Sequence, residues 1–315
     1  RNRNRNRNRN RILRLKDRRS ERFFPIQKRI PSPTKIVAPQ CAAMIQGYIK
    51  AASLRSSIEM GVTGGYDSRL LFLASLGVDC RYFVRKQETM PDDHWEISIP
   101  KRLTQHYNRP FAIERVEEDD PAEADVRERY LHDLDFPRPL NTMRLKKGRY
   151  GINGNVGEIA KNHFEYHSNV TAVDLSCLLG YAFHRFPVKM CSEWIQEFET
   201  TGTLGYHVLD LFYWEERQGN WCAKKKTEGL SLNVEGMSPF NSRDVMQRML
   251  STPKKDRDQH SSPLYDAIIE ILADGDEVVL SLPINPSLKI RLIRFLKKVR
   301  LFQLYRFVAL KMRML

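Results

Sequence analysis

The stretch from Met60 to Arg69 constrains this chain more than any other. Residues 56–62 (SSIEMGV) predict a short buried strand, residues 63–68 (TGGYDS) a turn, and residues 69–76 (RLLFLASL) an apolar helix. Glycines in such a turn let backbone N–H groups approach an anion, and the start of the helix adds partial positive charge. The stretch therefore predicts an anion-binding loop. Asp67 and Ser68 also stand where a helix N-cap is expected, so an ordinary capped turn is the alternative.

Other glycine-rich loops are excluded by their spacing. No Gly-Lys-Ser/Thr follows Gly64 and Gly65, so the loop is not a Walker A loop. The two glycines are adjacent, so the G-x-G-x-x-G pattern of dinucleotide-binding folds is absent as well.

The residues around this loop predict a parallel, doubly wound α/β sheet. Further strands are expected at 80–85 and 110–115, with a helix at 92–107 between them and an earlier helix at 41–54. Ligands of such sheets bind at the carboxyl ends of the strands, where the loop lies.

A second glycine-rich turn follows about 90 residues later. Residues 149–152 (RYGI) predict a short fourth strand, and residues 153–158 (NGNVGE) form a turn that ends in an acid. Residues 116–124 are acidic and predict the solvated start of a helix. Residues 124–134 predict a helix, and residues 135–148 predict a loop. From 159 to about 274 the pattern is mostly helical.

The first loop resembles the Ser-Gly-Gly-x-Asp-Ser pyrophosphate loop of the PP-loop ATP pyrophosphatases, with Thr63 keeping the hydroxyl of the usual serine. Together with the second turn, it resembles the synthetase domain of asparagine synthetase and its relatives, the β-lactam synthetases and lasso-peptide cyclases. The second motif of that family is Gly-Asp-Gly-x-Asp-Glu; here Asn155 stands at its first aspartate and Glu158 at its metal-binding aspartate. Further similar segments are 22–26 (RFFPI), 210–221, 238–243 (SPFNSR) and 282–286 (LPINP).

This resemblance implies an ATP-dependent, AMP-forming ligase. A substrate carboxylate would be adenylated with release of pyrophosphate, and an amine or ammonia would then form an amide. Asp67, Ser68 and Arg243 are the implied catalytic residues, and Asp67 and Glu158 the implied Mg²⁺ ligands. Implied nucleotide-binding residues are Met60, Val62, Thr63, Gly64, Gly65, Asp67, Ser68, Val84, Gly154, Asn155 and Gly157.

Two features of the family have no clear counterpart here. The glutaminase domain with its N-terminal cysteine is missing, so the amine is expected to arrive free or from a partner such as a separate glutaminase. The late lysine near the acyl-adenylate has only positional candidates, Lys161 and Lys224–Lys226. Arg217 is a further candidate for phosphate or substrate contact; a structural salt bridge is the alternative for it and for Arg243.

Charge lies mainly at the two ends. The chain of 315 residues has a net charge of +14, but residues 1–20 and 286–315 carry +9 each, which leaves −4 on the residues between them. Nucleic acid is therefore not the expected partner of the body. The basic ends still keep open a second hypothesis, a PP-loop enzyme that modifies tRNA or nucleobases. A third is an ATP-binding scaffold without catalysis, suggested by the altered second motif.

The expected organisation is a disordered basic arm (1–20), a nucleotide-binding region (21–158), a helical substrate region (159–285) and a basic amphipathic helix (286–315). That helix would pack on the body or lie on an anionic membrane surface. Five cysteines without metal-ligand spacing, no apolar run of about 18 residues and no signal peptide favour a cytoplasmic protein, with peripheral membrane contact as an option.

Overall fold

The structure is a computed structural model that describes residues 11–14, 16, 19–87, 89–115, 149–165, 169–181, 184–223, 235–299 and 301. Its strands are β1 (Arg11–Arg14), β2 (Arg19–Arg22), β3 (Ser57–Gly61), β4 (Cys80–Lys86), β5 (Phe111–Arg115), β6 (Arg149–Ile152) and β7 (Gly236–Met237). Its α-helices are α1 (Thr34–Ser53), α2 (Tyr66–Ala74), α3 (Trp95–His106), α4 (Ala172–Leu178), α5 (Arg185–Thr201), α6 (Val208–Phe212), α7 (Arg243–Ser251), α8 (Pro263–Ala273), α9 (Glu277–Ser281) and α10 (Leu288–Lys298). A π-helix spans Tyr213–Cys222, and 3₁₀ turns span Gly157–Lys161, Pro239–Asn241 and Lys254–Asp256.

Five parallel strands form the central sheet in the order β5-β4-β3-β6-β7. The chain runs outward from β3 through β4 to β5, and then returns to place β6 on the other side of β3. The direction of winding therefore changes between β3 and β6, and open parallel sheets bind their ligands at the carboxyl ends of such strands. The predicted α/β class with a parallel, doubly wound sheet is confirmed.

The middle strand β3 is buried along most of its length, as expected for a parallel sheet covered on both faces. Ile58 and Met60 are apolar, whereas Glu59 is 2% exposed and pairs with Arg81 at 3.3 Å. Burial raises the pKa of Glu59 even though Arg81 lowers it. The pairing with β4 is thus fixed by an ion pair as well as by the backbone.

Helices α1, α2 and α8 pack against one another, and α3 packs on β4 and β5. Helix α1 begins at Thr34, seven residues before the predicted start at Cys41. Pro39 lies inside it, because burial of Val37 and Ala38 outweighs the loss of one helical hydrogen bond.

Several other elements differ from the sequence-based expectation. Strand β7 extends the sheet from within the stretch at 159–274 that was expected to be mostly helical, and a π-helix lies within the same stretch. Within the expected basic arm, β1 pairs antiparallel with β2. Several predictions fall outside the described residues. They are the acidic stretch, helix and loop over 116–148, the candidates Lys224–Lys226, the Arg-Asn pairs at 1–10 and residues 302–315. The proposed division at 158 stays a prediction.

Candidate functional site

The first loop joins β3 to α2 and is closed by two hydroxyl groups. The backbone N–H of Thr63 donates to Ser68 Oγ at 3.0 Å, and Ser68 Oγ donates to the carbonyl oxygen of Thr63 at 2.9 Å. The two side-chain oxygens lie 2.9 Å apart. A hydroxyl at position 63 is thus used in the loop, so threonine can replace serine there.

Helix α2 begins three residues before its predicted start. Gly65 is its N-cap residue, so Asp67 and Ser68 stand in the first turn of the helix and do not cap it. The expectation of an Asp67 or Ser68 cap is wrong, because Gly65 is extended (φ −90°, ψ 170°) and the chain turns helical directly after it. The carboxylate of Asp67 is consequently free to point out of the loop.

The glycines of the first loop are enclosed by other parts of the chain. A Cβ on Gly64 would stand 2.6 Å from the ring of Trp95, at the start of α3. A Cβ on Gly65 would stand 3.3 Å from Oδ1 of Asn285. The first of these positions requires glycine for reasons of space, which the sequence does not reveal.

The second turn follows β6, the strand next to β3. Asn153 Oδ1 accepts from the backbone N–H of Asn155 at 3.2 Å, and the N–H of Gly157 donates to the carbonyl oxygen of Gly154 at 3.2 Å. Val156 is buried and has φ of +81°, a conformation that costs a β-branched residue roughly 1–3 kcal/mol. The turn is therefore held in a strained form by its surroundings.

The two loops meet at Asp67. A Cβ on Gly154 would stand 2.5 Å from the Cβ of Asp67, and a Cβ on Gly157 would stand 2.5 Å from Asp67 Oδ1. The turn at 153–158 thus lies directly against the Thr63–Ser68 loop.

An ion pair occupies the junction of the loops. Lys161 Nζ donates to Asp67 Oδ2, and the ammonium group also lies 5.1 Å from the centre of the Tyr265 ring. The side chain of Lys161 is 7% exposed and that of Asp67 is 22% exposed. Lys161, a candidate by position in the sequence, is therefore part of the site.

The other carboxylate oxygen of Asp67 is buried and has no hydrogen-bond partner among the described residues. The hydroxyl of Tyr265 lies beside the junction and donates to the carbonyl oxygen of Gly157 at 3.0 Å. Burial first, and then the charges of Asp67 and Glu158, raise the pKa of Tyr265. Tyr265 was not predicted, since it lies on α8, far away in the sequence.

Glu158 lies close enough to Asp67 for the two charges to interact. Burial raises the pKa of Glu158, and the Asp67 carboxylate raises it further, whereas Lys161 lowers it. Gln218 Nε2 donates to Glu158 Oε2 at 3.4 Å and to Tyr213 Oη at 3.0 Å. The i→i+5 winding of the π-helix brings residues 213 and 218 together, a device frequent at functional sites.

His163 lies on the side of the junction where Tyr213 is found. Its ring lies 4.4 Å from that of Tyr213, and its buried Nδ1 has no hydrogen-bond partner among the described residues. Burial, followed by the charges of Lys161, Arg217 and His260, lowers the pKa of His163 to about 4. The imidazole is thus neutral at physiological pH.

The donor set at the junction fits Mg²⁺ bound together with a nucleotide. In the described part of the chain, no group of three or more His, Cys, Asp and Glu side chains could hold a metal ion. Mg²⁺ on a nucleotide needs only one or two carboxylates, however, because phosphate oxygens and water complete its shell. Asp67, with its unpartnered Oδ1, and Glu158 are the carboxylates that would hold it.

The remaining predicted residues have the following places. Met60, Val62 and Val84 are buried in the sheet, next to the first loop, and the N–H of Val62 donates to the carbonyl oxygen of Phe83 at 2.8 Å. Asn155 accepts at its backbone oxygen from Ser238 Oγ. Roles in nucleotide binding stay predictions for these four residues.

Arg243 stands at the start of α7, and its guanidinium lies 4.6 Å from the ring centre of Phe23 and 5.6 Å from that of Phe24. Burial lowers the pKa of Arg243. These contacts give Arg243 a structural partner, and its catalytic role stays a prediction.

A segment near the C-terminus is bound to the first loop. Residues 282–285, here called the strap, receive two hydrogen bonds from the buried Arg69, to the carbonyl oxygens of Leu282 at 2.6 Å and Pro283 at 2.7 Å. The N–H of Asn285 donates to the carbonyl oxygen of Gly64 at 3.0 Å. The strap lies within the segment LPINP (282–286), which resembles a segment of asparagine synthetase-like proteins. Its contact with the loop was not predicted.

Neither a protein-family model nor a curated protein sequence matches this chain. Among solved structures, an NMN synthetase from Francisella tularensis is 9% identical with a TM-score of 0.30, over 81% of this chain and 99% of that one. An NH3-dependent NAD synthetase from Campylobacter jejuni is 12% identical with a TM-score of 0.26, over 72% and 93%. An NAD+ synthetase from Burkholderia pseudomallei is 11% identical with a TM-score of 0.24, over 80% and 91%. Values this low carry no argument about function.

Proposed function

We propose that this chain binds ATP with Mg²⁺ between its two loops and is an AMP-forming carbon–nitrogen ligase. The observation that carries the proposal is the junction itself: Asp67 lies against Gly154 and Gly157, at the carboxyl ends of adjacent strands where the winding of the sheet changes. A fixed pair of loops with carboxylates and a buried lysine suits a triphosphate and its cation.

In the proposed reaction, an oxygen of the substrate carboxylate attacks the α-phosphorus of ATP. The bond from that phosphorus to its bridging oxygen breaks, pyrophosphate leaves, and an acyl-adenylate remains. The amine nitrogen then attacks the acyl carbon, AMP leaves, and the amine loses a proton. The preferred substrates are a small carboxylate and either ammonia or an amine, as in asparagine synthetase-like enzymes.

Backbone N–H groups at Gly64 and the start of α2 would hold the pyrophosphate part, joined by that of Gly65, which otherwise donates to Thr63 Oγ1 at 3.4 Å. The hydroxyl of Ser68 keeps the loop closed. When bound, Mg²⁺ neutralises phosphate charge. Lys161 contributes a positive charge fixed by burial beside Asp67. Electrostatic groups that are already in place cost no reorganisation during the reaction.

An unused acceptor atom beside the junction suits a ligand that brings an N–H group. Gln218 is 1% exposed, and its buried Oε1 has no hydrogen-bond partner among the described residues. Buried polar atoms without partners are uncommon, so each points to a missing donor. The amino group of the attacking amine is one such donor.

A second candidate is a scaffold that binds ATP without catalysis. It is favoured by one observation, the ion pair with Lys161 that engages Asp67 Oδ2. A contact of the C-terminal helix with a membrane is a separate proposal, because it depends on an exposed helix face and not on the loops.

Calorimetry with ATP and Mg²⁺, followed by a screen of pyrophosphate release across carboxylates with ammonium or amines, tests both candidates. The ligase predicts nucleotide binding and release that depends on one carboxylate. Asp67→Asn should lower that release by roughly 100-fold or more. The matched control is Asp79→Asn, an exposed carboxylate at the opposite end of the sheet, just before β4.

Binding of ATP without release for any carboxylate would support the scaffold. Absence of nucleotide binding in the folded wild-type protein would exclude both candidates.

A further inference from the structure

One face of α10 is bound to the body of the protein. Arg294 Nε donates to the carbonyl oxygen of His260 at 2.7 Å, and Arg294 donates through a second nitrogen to that of Ile284 at 3.1 Å. Ile293, on the neighbouring side, is buried. These contacts fix which side of the helix is left facing outward.

The outward side is an apolar stripe. Leu288, Leu292, Phe295 and Val299 are 81%, 49%, 59% and 41% exposed. Their spacing of four, three and four residues places them above one another on one side of the helix, with Val299 directly after its last residue and bonded through its N–H to the carbonyl oxygen of Phe295 at 3.0 Å. The stripe, as these four residues are called here, is therefore a continuous apolar surface and not a set of scattered residues.

Positive charge surrounds the stripe. Lys289 and Arg291 are exposed on the same helix, one on each side of the stripe in a helical projection. The sequence from 286 to 315 contains nine Lys and Arg residues and no Asp or Glu. An occupant of this surface must accept both apolar side chains and positive charge.

We propose that α10 docks on the surface of an anionic lipid bilayer. An apolar stripe flanked by Lys and Arg is the arrangement of helices that lie in the plane of a membrane, with their apolar face among the acyl chains. Each flanking cation is attracted by acidic headgroups. Among the described helices, none is long and apolar enough to cross a membrane, so the contact is with one surface.

Three other occupants of the stripe are less suitable: residues 302–315 of this chain, a second copy of the chain and a nucleic acid. Residues 302–315 of this chain carry Arg306, Lys311 and Arg313 and no acid, so laying them along α10 would bring like charges together. A second copy docking through the same face has the same difficulty. Nucleic acid offers negative charge but no apolar phase for Phe295 and the leucines.

The test is co-sedimentation of the full chain with vesicles of phosphatidylcholine, with or without one third phosphatidylglycerol. Wild type should bind the anionic vesicles at least tenfold more tightly than the neutral ones, and added salt should weaken that binding. A double variant, Leu292→Asn with Phe295→Ser, should lose at least tenfold in affinity for the anionic vesicles.

The matched control is Leu54→Asn with Phe186→Ser, which removes equally large side chains that are 79% and 73% exposed elsewhere on the surface. It should bind as wild type does, and circular dichroism should show both variants folded. Equal binding of the Leu292/Phe295 variant and wild type would overturn the proposal, since charge alone, for instance on residues 1–10, would then explain adsorption. A wild-type dimer in light scattering that the same variant dissociates would also overturn it, in favour of a second copy.

Discussion

Gly154 lies against Asp67 so closely that a Cβ at position 154 would stand 2.5 Å from the Cβ of Asp67, although the two residues belong to different loops. No real Cβ contact is that short, so the loops are in contact only because position 154 has no side chain. The geometry of the junction thus requires glycine at position 154.

Gly154→Ala is therefore expected to push Asp67 away from the second turn. We expect a loss of about 1–3 kcal/mol in the free energy of unfolding, as for other overpacked sites. The rate of pyrophosphate release should fall by roughly 100-fold, because displacement by about 1 Å misplaces the reacting groups. Gly47→Ala is the control: a Cβ there meets nothing within 4 Å, and alanine stabilises a helix. Unchanged release in the Gly154 variant would contradict the two-loop site.

Lys161→Met should destabilise the protein by leaving the Asp67 carboxylate without its cation. Breaking a fully buried ion pair costs about 3–5 kcal/mol, and we expect about 2–3 kcal/mol here because Asp67 is 22% exposed. Urea unfolding measures the effect. Lys189→Met, at a side chain that is 74% exposed, should change stability by less than about 0.5 kcal/mol. The cost of Lys161→Met should shrink in an Asp67→Asn background, and an equal cost in both backgrounds would argue against the pair.

His163 should make stability depend on pH between about 4 and 6.5. The pKa of the folded protein's imidazole is lowered from 6.5 to about 4, so between these values the unfolded chain binds a proton that the folded chain does not. The free energy of unfolding therefore falls as pH falls through this window, by up to about 3 kcal/mol in total.

His163→Phe keeps a ring beside Tyr213 and removes the titrating group, so the slope of unfolding free energy against pH should flatten in that window. His184→Phe, at an exposed histidine, should leave the slope unchanged. A wild-type slope in the His163 variant would show that other groups cause it.

Arg69→Met should release the strap. Two carbonyl oxygens would lose their donor, and the loss at Leu282, which is buried, should cost about 1–3 kcal/mol. Hydrogen exchange followed by mass spectrometry should show faster exchange of the Asn285 amide, which is bonded to Gly64. Arg102→Met, at an exposed arginine on α3, should leave that amide protected. Slow exchange in both variants would mean that the strap is held by other contacts.

The sequence predicted the parts of the site that depend on local pattern. A buried strand followed by TGGYDS and an apolar helix predicts an anion-binding loop between a strand and a helix. The segment RYGI followed by NGNVGE predicts a second strand and turn, although its pattern is less specific. Parallel strands then place both turns at the same edge of the sheet. The pairing of Asp67 with Glu158 came from the resemblance of the two motifs to the asparagine synthetase family, and their role as Mg²⁺ ligands stays a prediction.

What was missed depends on contacts between distant parts of the chain. Nothing near them in the sequence shows which distant segments Tyr265, Gln218 and Arg69 contact, and only packing brings them to the junction or the strap. The early start of α1 was missed because Pro39 normally argues against a helix interior. The positive φ of Val156 was also missed, because β-branched residues rarely adopt that conformation and the neighbouring residues do not indicate it.

Pairing between β3 and β6 has a consequence for how the protein matures. Asp67 and Lys161 are 94 residues apart, and the strands beside them become neighbours only after the intervening chain has folded or looped out. Contacts between such distant segments form slowly, because a long loop must close before any of them stabilises the fold. We expect the junction of the two loops to be among the last features to assemble, so that in refolding experiments the proposed ATP binding lags behind the recovery of helix. A nascent chain would thus bring Asp67 and Lys161 together only when the sheet around them is complete.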